Sequence, residues 1–326
     1  MNLQRRTLLT GLAAGAATSI APWAHAQGYP ELPVKWVVPY PAGGGTDVIA
    51  RTLSEAMRPG LGQTVVIDNR PGASTNIGAD LVAKSKPDGY TIMSADNAVL
   101  AFNEHLFGKL PFSPEKDFSY IGAIGRFPLA LVVHPDFPAK DFKEFLAYAK
   151  TNPGKLNYAS PGNGSPHHLA MEMFKNRTGT FITHIPYRGA APAMADVMGG
   201  QVPCMFLDLA SGLSIMQSNR VRVLAIGSGA RSKLLPNVPT LAEVGVPNTE
   251  VFAFQGVLGP AGLPAPVVAK LNGELNKAFG NPAVQKRFAD FGMEAMPGTP
   301  EQFAALSRAE SRRWGPIIKA QGIKLD

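Results

Sequence analysis

Short apolar runs alternate along this chain with longer stretches in which apolar residues recur every three or four positions. The first pattern predicts buried strands, and the second predicts amphipathic helices. In the first third of the chain, strands are predicted at 34–38, 64–67 and 91–93. The two helices between them place on their buried faces Ile49, Leu53, Ala56 and Met57, and then Ile77, Leu81 and Val82. This alternation favours an α/β fold with mainly parallel, doubly wound sheets.

A second series of the same kind follows the apolar run at 127–133. Its helices are predicted at 141–150, from Ser165 onwards and at 190–198, and its strands at 156–159, 181–185, 204–207 and 221–226. The chain then returns through an apolar run at 252–258 to a tail with helices at 267–279, 284–291 and 301–319. Two series of this length are sufficient for two domains.

The segment between the first strand and the first helix, residues 40–46, is the first loop. Three consecutive glycines at 43–45 follow Tyr40 and precede Thr46, the predicted N-cap, and Asp47, which suits a first helical turn. A strand, a glycine loop and a helix N-terminus together offer main-chain N–H groups to an anion. A tight turn that binds nothing explains the same residues equally well.

Two nucleotide motifs are excluded at this loop. The dinucleotide fingerprint requires a glycine where Val48 stands, and the phosphate-binding P-loop requires a lysine before Thr46. The first loop therefore suits an anion but does not match a nucleotide site.

Residues 1–26 have the pattern of an export signal. Arg5 and Arg6 precede an apolar run, and a small-x-small site predicts cleavage after Ala26, so that the mature chain begins at Gln27. Twin-arginine export and Sec export are both open. The apolar run is shorter than a membrane span, and no cysteine follows it to carry a lipid. We therefore expect a soluble protein in the periplasm.

Charge and cysteine content narrow the ligand class. The chain of 326 residues has a formal net charge of +7, and removal of Arg5 and Arg6 leaves 7 − 2 = +5. This mild excess favours anionic ligands, and the absence of a basic run argues against nucleic acid. Cys204 is the only cysteine, so no internal disulfide is possible, and its apolar neighbours predict a buried side chain.

The second loop, residues 160–165, repeats the arrangement of the first. It follows a predicted strand, contains Gly162 and Gly164, and ends at Ser165, an N-cap with proline at the first helical position. Two such loops predict a clamp for an anion with two ends. His167 and His168 do not suggest a metal site, because adjacent helical residues point about 100° apart. One of them is expected to face the ligand.

Ligands of doubly wound sheets lie at the carboxyl ends of the strands. The segments that follow the first three strands, which include Ser74 and Asn97, are therefore expected along one rim with the first loop. Ordinary capping and turn formation remain an open alternative for both residues.

Eight motifs occur along the chain in this order: VVPYPAGGGTD, NRPGAS, YASPGNGSPHHLA, HIPYRGAAPAMADVMGGQV, VRVLAIGS, LPNVPTLAEVG, GVLGPAGLP and GTPEQF. Together they resemble the Bug family, the extracytoplasmic solute receptors of tripartite tricarboxylate transporters. The resemblance covers essentially all of the mature chain.

The resemblance implies a two-lobe periplasmic binding protein fold with a hinge of two crossing strands, FPLALVV and VFAFQGVLG. Lobe one is then 27–126 with 253–326, and lobe two is 127–252. We expect a monomer without a cofactor that delivers its ligand to the membrane subunits of a transporter. Many members have Trp before the glycine of the return strand, where this chain has Phe254-Gln255-Gly256, which predicts a different cleft wall.

The resemblance also implies that both loops grasp a small carboxylate, directly and through water. The ligand-binding residues carried over on this basis are Tyr40, Ala42, Gly43, Gly44, Gly45, Thr46, Ser160, Gly162, Gly164, Ser165, Tyr187, Arg188 and Asp208. The arguments from the rim and from the helix start add Ser74, Asn97 and His168. Two of these have a structural alternative: Arg188 in securing its own loop, and Asp208 in capping the following turn.

An exported esterase-like hydrolase is the alternative function. It would use Ser165 as nucleophile and His168 as base. However, the G-x-S-x-G motif is absent, and so is H-E-x-x-H. A capping serine also already uses its oxygen on backbone N–H groups. The sequence therefore favours a receptor over an enzyme.

Overall fold

The computed structural model describes residues 28–325, so the predicted signal peptide and its cleavage site lie outside the described residues. The strands of this range are Val34–Val38 (β1), Val65–Asn69 (β2), Thr91–Asp96 (β3), Phe118–Val133 (β4), Leu156–Ser160 (β5), Ile182–Pro186 (β6), Cys204–Asp208 (β7), Arg222–Ile226 (β8), Phe252–Pro260 (β9) and Glu294–Ala295 (β10). Its α-helices are Gly45–Leu61 (α1), Asn76–Ala83 (α2), Asn103–Leu106 (α3), Phe142–Thr151 (α4), Pro166–Thr178 (α5), Ala190–Met198 (α6), Leu209–Gln217 (α7), Ala265–Ala278 (α8), Pro282–Asp290 (α9) and Pro300–Ala320 (α10).

The strands form two parallel groups joined by antiparallel strands. Their order is β2-β1-β3-β9-β4-β7-β5-β6, with β8 and β10 paired to β4. β1 runs parallel to β2 and β3, and β5 runs parallel to β6 and β7. β9 and β4 lie between the two groups and run antiparallel to their neighbours.

β4 belongs to both groups. Over 118–128 it pairs with β9, and over 129–133 it pairs with β7. The apolar run at 127–133 is therefore the second part of one 16-residue strand that passes from the first group to the second. The run at 252–258 lies in β9, which returns the chain to the first group.

The core forms on the faces that the periodicity predicts, with one exception. In α1, Ile49, Leu53 and Met57 are buried against the first group of strands. In α2, however, Ile77 is 53% exposed. The small Gly78 faces inward instead, because an added Cβ there would lie 3.0 Å from Pro39 Cβ. Close packing of α2 against the sheet therefore selects small residues over the larger isoleucine.

Two helical segments are not apparent from the sequence pattern. No helix was predicted directly after β7, but residues 209–212 begin α7, and Asp208 is its N-cap. The region after β3 continues through a wide helical turn, Ala98–Phe102, into α3. Every residue of that turn is buried, so it has no amphipathic pattern to reveal it.

Candidate ligand-binding site

The first loop leaves the start of α1 open. The N-cap is Gly44, with φ −74° and ψ 166°, and no side chain caps it. The prediction of Thr46 as N-cap is wrong, because Thr46 is already the second residue of α1. Its hydroxyl accepts a hydrogen bond from Gln255 Nε2 at 2.8 Å. Within residues 28–325, the main-chain N–H groups of Gly44, Gly45 and Thr46 donate to no acceptor. These N–H groups and the positive end of the helix dipole form an anion-binding geometry.

Asp47, in the first turn of α1, holds the loop from inside. Its carboxylate accepts from Gly43 N at 2.9 Å, Arg51 Nε at 3.0 Å and Asn69 Nδ2 at 2.9 Å. Burial raises the pKa of the Asp47 carboxyl, but these hydrogen bonds outweigh it and bring the pKa below its usual value. The Gly43 N–H is therefore engaged by the protein, unlike that of Gly44.

Tyr40 is also directed into the protein. Its hydroxyl donates to Asp96 at the end of β3, and its carbonyl accepts from Asn69 Nδ2 at 3.0 Å. Burial raises the pKa of the Tyr40 phenol well above its usual value, and the adjacent Asp96 adds to this shift. The Tyr40 side chain therefore secures the first loop, and its role in ligand binding stays a prediction.

The second loop differs from the first in its cap. Ser165 is the N-cap of α5, as predicted, and its hydroxyl accepts from His168 N at 3.3 Å and donates to the Gly162 carbonyl at 2.8 Å. Gly162 N donates to Ser160 Oγ, and Gly164 N donates to His168 Nδ1, both at 3.1 Å. The predicted donors of this loop are therefore used within the loop.

His168 belongs to a stack of rings beneath the second loop. Its ring lies 4.0 Å from that of His184, at 9° to it, and Tyr158 stacks on His184 at 4.7 Å. Burial lowers the pKa of His168 to about 4 and that of His184 to about 3. Both imidazoles are therefore neutral at pH 7. His168 Nδ1 positions Gly164, and a contact of His168 with the ligand stays a prediction.

The same geometry argues against a nucleophile–base pair. Ser165 Oγ contacts the main-chain N of His168 rather than its imidazole. The imidazole Nδ1 accepts from Gly164 N instead. A serine hydrolase needs the hydroxyl within hydrogen-bond reach of the base nitrogen, and this pair is absent here.

His167, the other histidine, contacts Asp208. Asp208 Oδ2 accepts from His167 Nε2 at 2.8 Å, and Oδ1 accepts from Ser211 N at 2.6 Å. Burial raises the pKa of the Asp208 carboxyl, but its bonds with His167 and Ser211 outweigh this and lower it. The capping alternative for Asp208 is thus confirmed: Asp208 stands at the carboxyl end of β7 and caps α7, whereas His167 lies in the first turn of α5.

Four further residues that were predicted to bind the ligand each have different neighbours in the structure. Asn97 donates to the Phe252 carbonyl at 3.1 Å and accepts from Phe254 N at 2.8 Å, so it ties β3 to β9. The Tyr187 hydroxyl donates to Asp196 at 2.6 Å. Arg188 is exposed, and its guanidinium has no hydrogen-bond or ion-pair partner in the described chain. Ser74, the fourth, bridges the two parts of the fold.

The second loop rests against the first group of strands and helices. Ser74 Oγ donates to the Asn163 carbonyl at 3.4 Å. A Cβ at Gly164 would lie 2.9 Å from the side chains of Leu106 and Leu325. The structure therefore brings the second loop next to the segment after β2, on the same side as the first loop.

Two cavities lie elsewhere. One of about 560 Å³ is lined by α7, β8 and residues 234–238, and another of about 310 Å³ lies beside residues 245–248. Neither is lined by a predicted site residue. Within residues 28–325, no cluster of His, Cys, Asp or Glu suits a metal ion, and no helix is long and apolar enough to cross a membrane.

Three residues that hold the loops are not among the predicted ligand-binding residues. Asp96 and Gln255 hold Tyr40 and Thr46, and His184 contacts Ser160 Oγ at 2.6 Å. His184 lies within the predicted strand at 181–185, where strand alternation could have shown which face it is on. Asp96 is the last residue of β3, three residues beyond the predicted strand at 91–93. Gln255 is a polar residue inside an apolar run, and this was the available signal.

Comparison with known proteins identifies the family. Residues 49–323 match the model of the tripartite tricarboxylate transporter family receptor. The chain is 36% identical to BugT of Bordetella pertussis over the full length of both. An R. palustris structure with adipate has a TM-score of 0.85 and 33% identity, covering 91% of this chain and 99% of its own. The structure of MatC from Rhodopseudomonas palustris with bound malate has a TM-score of 0.83 and 31% identity, and the match covers 89% of this chain and 100% of MatC.

Similarity to the solved periplasmic binding protein BugD, with a TM-score of 0.84 and 36% identity over 91% of this chain and 99% of BugD, confirms the two-lobe α/β fold, with β4 and β9 as the strands between the lobes. The receptors of this family are generally not enzymes. The chain belongs to the tripartite tricarboxylate transporter receptor family, which confirms its resemblance to the Bug proteins.

Proposed function

We propose that this protein is a periplasmic receptor that captures a small carboxylate between its lobes and delivers it to a tripartite tricarboxylate-type membrane transporter. The observation that carries this proposal is the uncapped start of α1, where the N–H groups of Gly44, Gly45 and Thr46 have no acceptor within the described chain. A carboxylate supplies two acceptor oxygens and a negative charge for these donors and for the helix dipole.

The comparisons support an anionic ligand. The two solved relatives contain adipate and malate, which both carry two carboxylates. We infer that a second ligand carboxylate meets the other lobe, where the Arg188 guanidinium has no protein partner. Water bridges would complete the contacts of the second loop, because its own N–H groups are used internally.

We place lobe one at 27–126 with 253–326 and lobe two at 127–252. The change of pairing partner along β4, from β9 up to residue 128 to β7 from residue 129, supports the first boundary between the lobes. We further propose export with cleavage after Ala26 and a monomeric receptor that releases its ligand chemically unchanged.

A thermal-shift screen of small carboxylates tests the proposal. A ligand present at 100 times its dissociation constant stabilises the fold by about 2.7 kcal/mol. Calorimetry then gives the affinity, and NMR of the recovered ligand shows whether it is unchanged. Stabilisation by carboxylates but not by the matching primary amides is the expected result. If no carboxylate in a broad panel binds, the proposed function is wrong, and ligand conversion would favour the hydrolase.

A further inference from the structure

Gln255 has one amide atom that the protein does not use. The residue is only 5% exposed. Nε2 donates to Thr46 Oγ1 at 2.8 Å, whereas Oε1 has no hydrogen-bond partner among the residues that the structure describes. A buried acceptor without a donor is costly, so such an atom in a native protein calls for an explanation.

The register of β9 places this amide at the first loop. Gln255 pairs with Asp96 of β3, and directly paired residues of antiparallel strands point to the same face. On that face Asp96 accepts from the Tyr40 hydroxyl of the first loop. The neighbouring Phe254 faces the other side and packs in a cluster with Phe303.

Thr46 fixes the amide relative to the helix start. Thr46 is the second residue of α1, next to the N–H groups of Gly44 and Gly45. Because Nε2 is hydrogen-bonded to Thr46, the two amide atoms have separate roles: Nε2 anchors the side chain, and Oε1 is a free acceptor. The free acceptor thus lies beside donors that suit a carboxylate, and it would repel a second carboxylate oxygen while attracting a hydrogen-bond donor.

We propose that Gln255 is a specificity-determining residue that accepts a hydrogen bond from a hydroxyl or ammonium group on the ligand carbon next to the bound carboxylate. This inference rests on the proposed function, because it assumes that a carboxylate binds at the start of α1. The favoured ligands are 2-hydroxy or 2-amino carboxylates, and the analogues without that group leave the acceptor unpaired.

Matched ligand pairs test this by calorimetry: succinate and malate, glutarate and 2-hydroxyglutarate, adipate and 2-hydroxyadipate, and propionate and lactate. In the unmodified protein, the hydroxylated member of each pair that binds is expected to bind about tenfold to a hundredfold more tightly. Gln255→Met keeps a side chain of similar length but removes the acceptor. The affinity ratio, that of the hydroxylated ligand over that of its unsubstituted partner, is then expected to fall to within about threefold of unity, mainly because the hydroxylated ligand binds more weakly.

Two further variants separate specificity from folding. Gln285→Met makes the same change at an exposed position on α9 and is expected to leave both affinities unchanged. Thr46→Val removes the hydroxyl that anchors the Gln255 amide but keeps Gln255 itself. It is expected to lower the same affinity ratio partly. It provides the test if Gln255→Met does not fold.

The outcomes are distinct. Equal binding of both members of every pair by the unmodified protein overturns the inference but leaves the proposed function intact. Equal weakening of both members by Gln255→Met overturns it too, because the amide then binds the carboxylate itself through its N–H. If none of the eight compounds and no other carboxylate binds, the proposed function fails first.

Discussion

Gly44 shows why this loop uses glycine. Its φ of −74° is open to any residue, and an added Cβ would meet only the Pro41 carbonyl, at an ordinary 3.5 Å. Gly43 is different, because its φ of +82° favours glycine by conformation. The turn therefore does not require glycine at 44, and its use there is explained by the close approach of a ligand to the main chain.

We predict that Gly44→Val folds normally and loses at least about a hundredfold in carboxylate affinity, or about 2.7 kcal/mol. The valine side chain would occupy the space in front of the free N–H groups. Circular dichroism checks folding, and calorimetry checks binding. Gly273→Val is the matched control, because it makes the same change in α8, outside the two loops, where a Cβ meets nothing within 4 Å. Full affinity in a folded Gly44→Val protein would contradict a ligand at the first loop.

At the scale of single residues, the sequence predicted the positions of the loop residues better than it predicted their hydrogen-bond partners. The glycine loop was predicted from local pattern alone. The partner of Thr46, by contrast, is 209 residues away in sequence, and that of Tyr40 is 56 away. Local pattern carries no information on such pairs, so the anchoring roles of Tyr40 and Thr46 required the fold.

At the scale of elements, the two helix starts are unlike. Ser165 caps α5, whereas no side chain caps α1. We predict that Ser165→Ala lowers the free energy of unfolding by about 1 kcal/mol, and that it lowers ligand affinity far less than Gly44→Val does. Urea denaturation measures the first effect. Ser214→Ala, at an exposed position of α7, serves as control. An affinity loss as large as that of Gly44→Val would show that the second loop is the main carboxylate site.

The ring stack beneath the second loop makes stability depend on pH. The folded protein holds the pKa of His168 at about 4 and that of His184 at about 3, below the usual 6.5. Between pH 6.5 and these values the unfolded chain binds more protons, so the free energy of unfolding falls as the pH falls. Above pH 6.5 this contribution is fully present.

We predict that the melting temperature falls between pH 6.5 and pH 4, and that it falls less in the double variant His168→Asn/His184→Gln. These amides replace the hydrogen-bonding ring nitrogens without titrating. Calorimetric melting at a series of pH values provides the measurement. The same slope in both proteins would mean that the carboxylates, rather than the two histidines, set the acid sensitivity.

Most helices and strands were predictable because their apolar residues recur at a clear helical or strand spacing. α6 has the predicted bounds, and β1 does as well. The errors occur where burial is uniform or where close packing selects small residues. The turn at 98–102 is buried on all sides, and α2 turns Gly78 rather than Ile77 inward. Amphipathic pattern cannot reveal either arrangement.

At the scale of the molecule, the structure has the lobes in contact. Ser74 Oγ contacts the Asn163 carbonyl across them, and Gly164 packs against Leu106 and Leu325. Arg313 also donates to the Glu250 carbonyl, and Gly292 lies against Leu209 and Leu234. Because β4 and β9 join the lobes, we expect the free protein to open about these strands and to close on a ligand. Small-angle scattering should show a smaller radius of gyration with a bound carboxylate. An unchanged radius at saturation would indicate a rigid, preformed cleft.

The central claim is that the start of α1 binds the carboxylate through its main chain. A crystal structure of the complex with a carboxylate identified in the screen tests it most directly. The account predicts a ligand carboxylate oxygen within about 3.2 Å of the main-chain N of Gly44 or Gly45. A carboxylate bound only by the second loop, or in the 560 Å³ cavity beside α7, would contradict it.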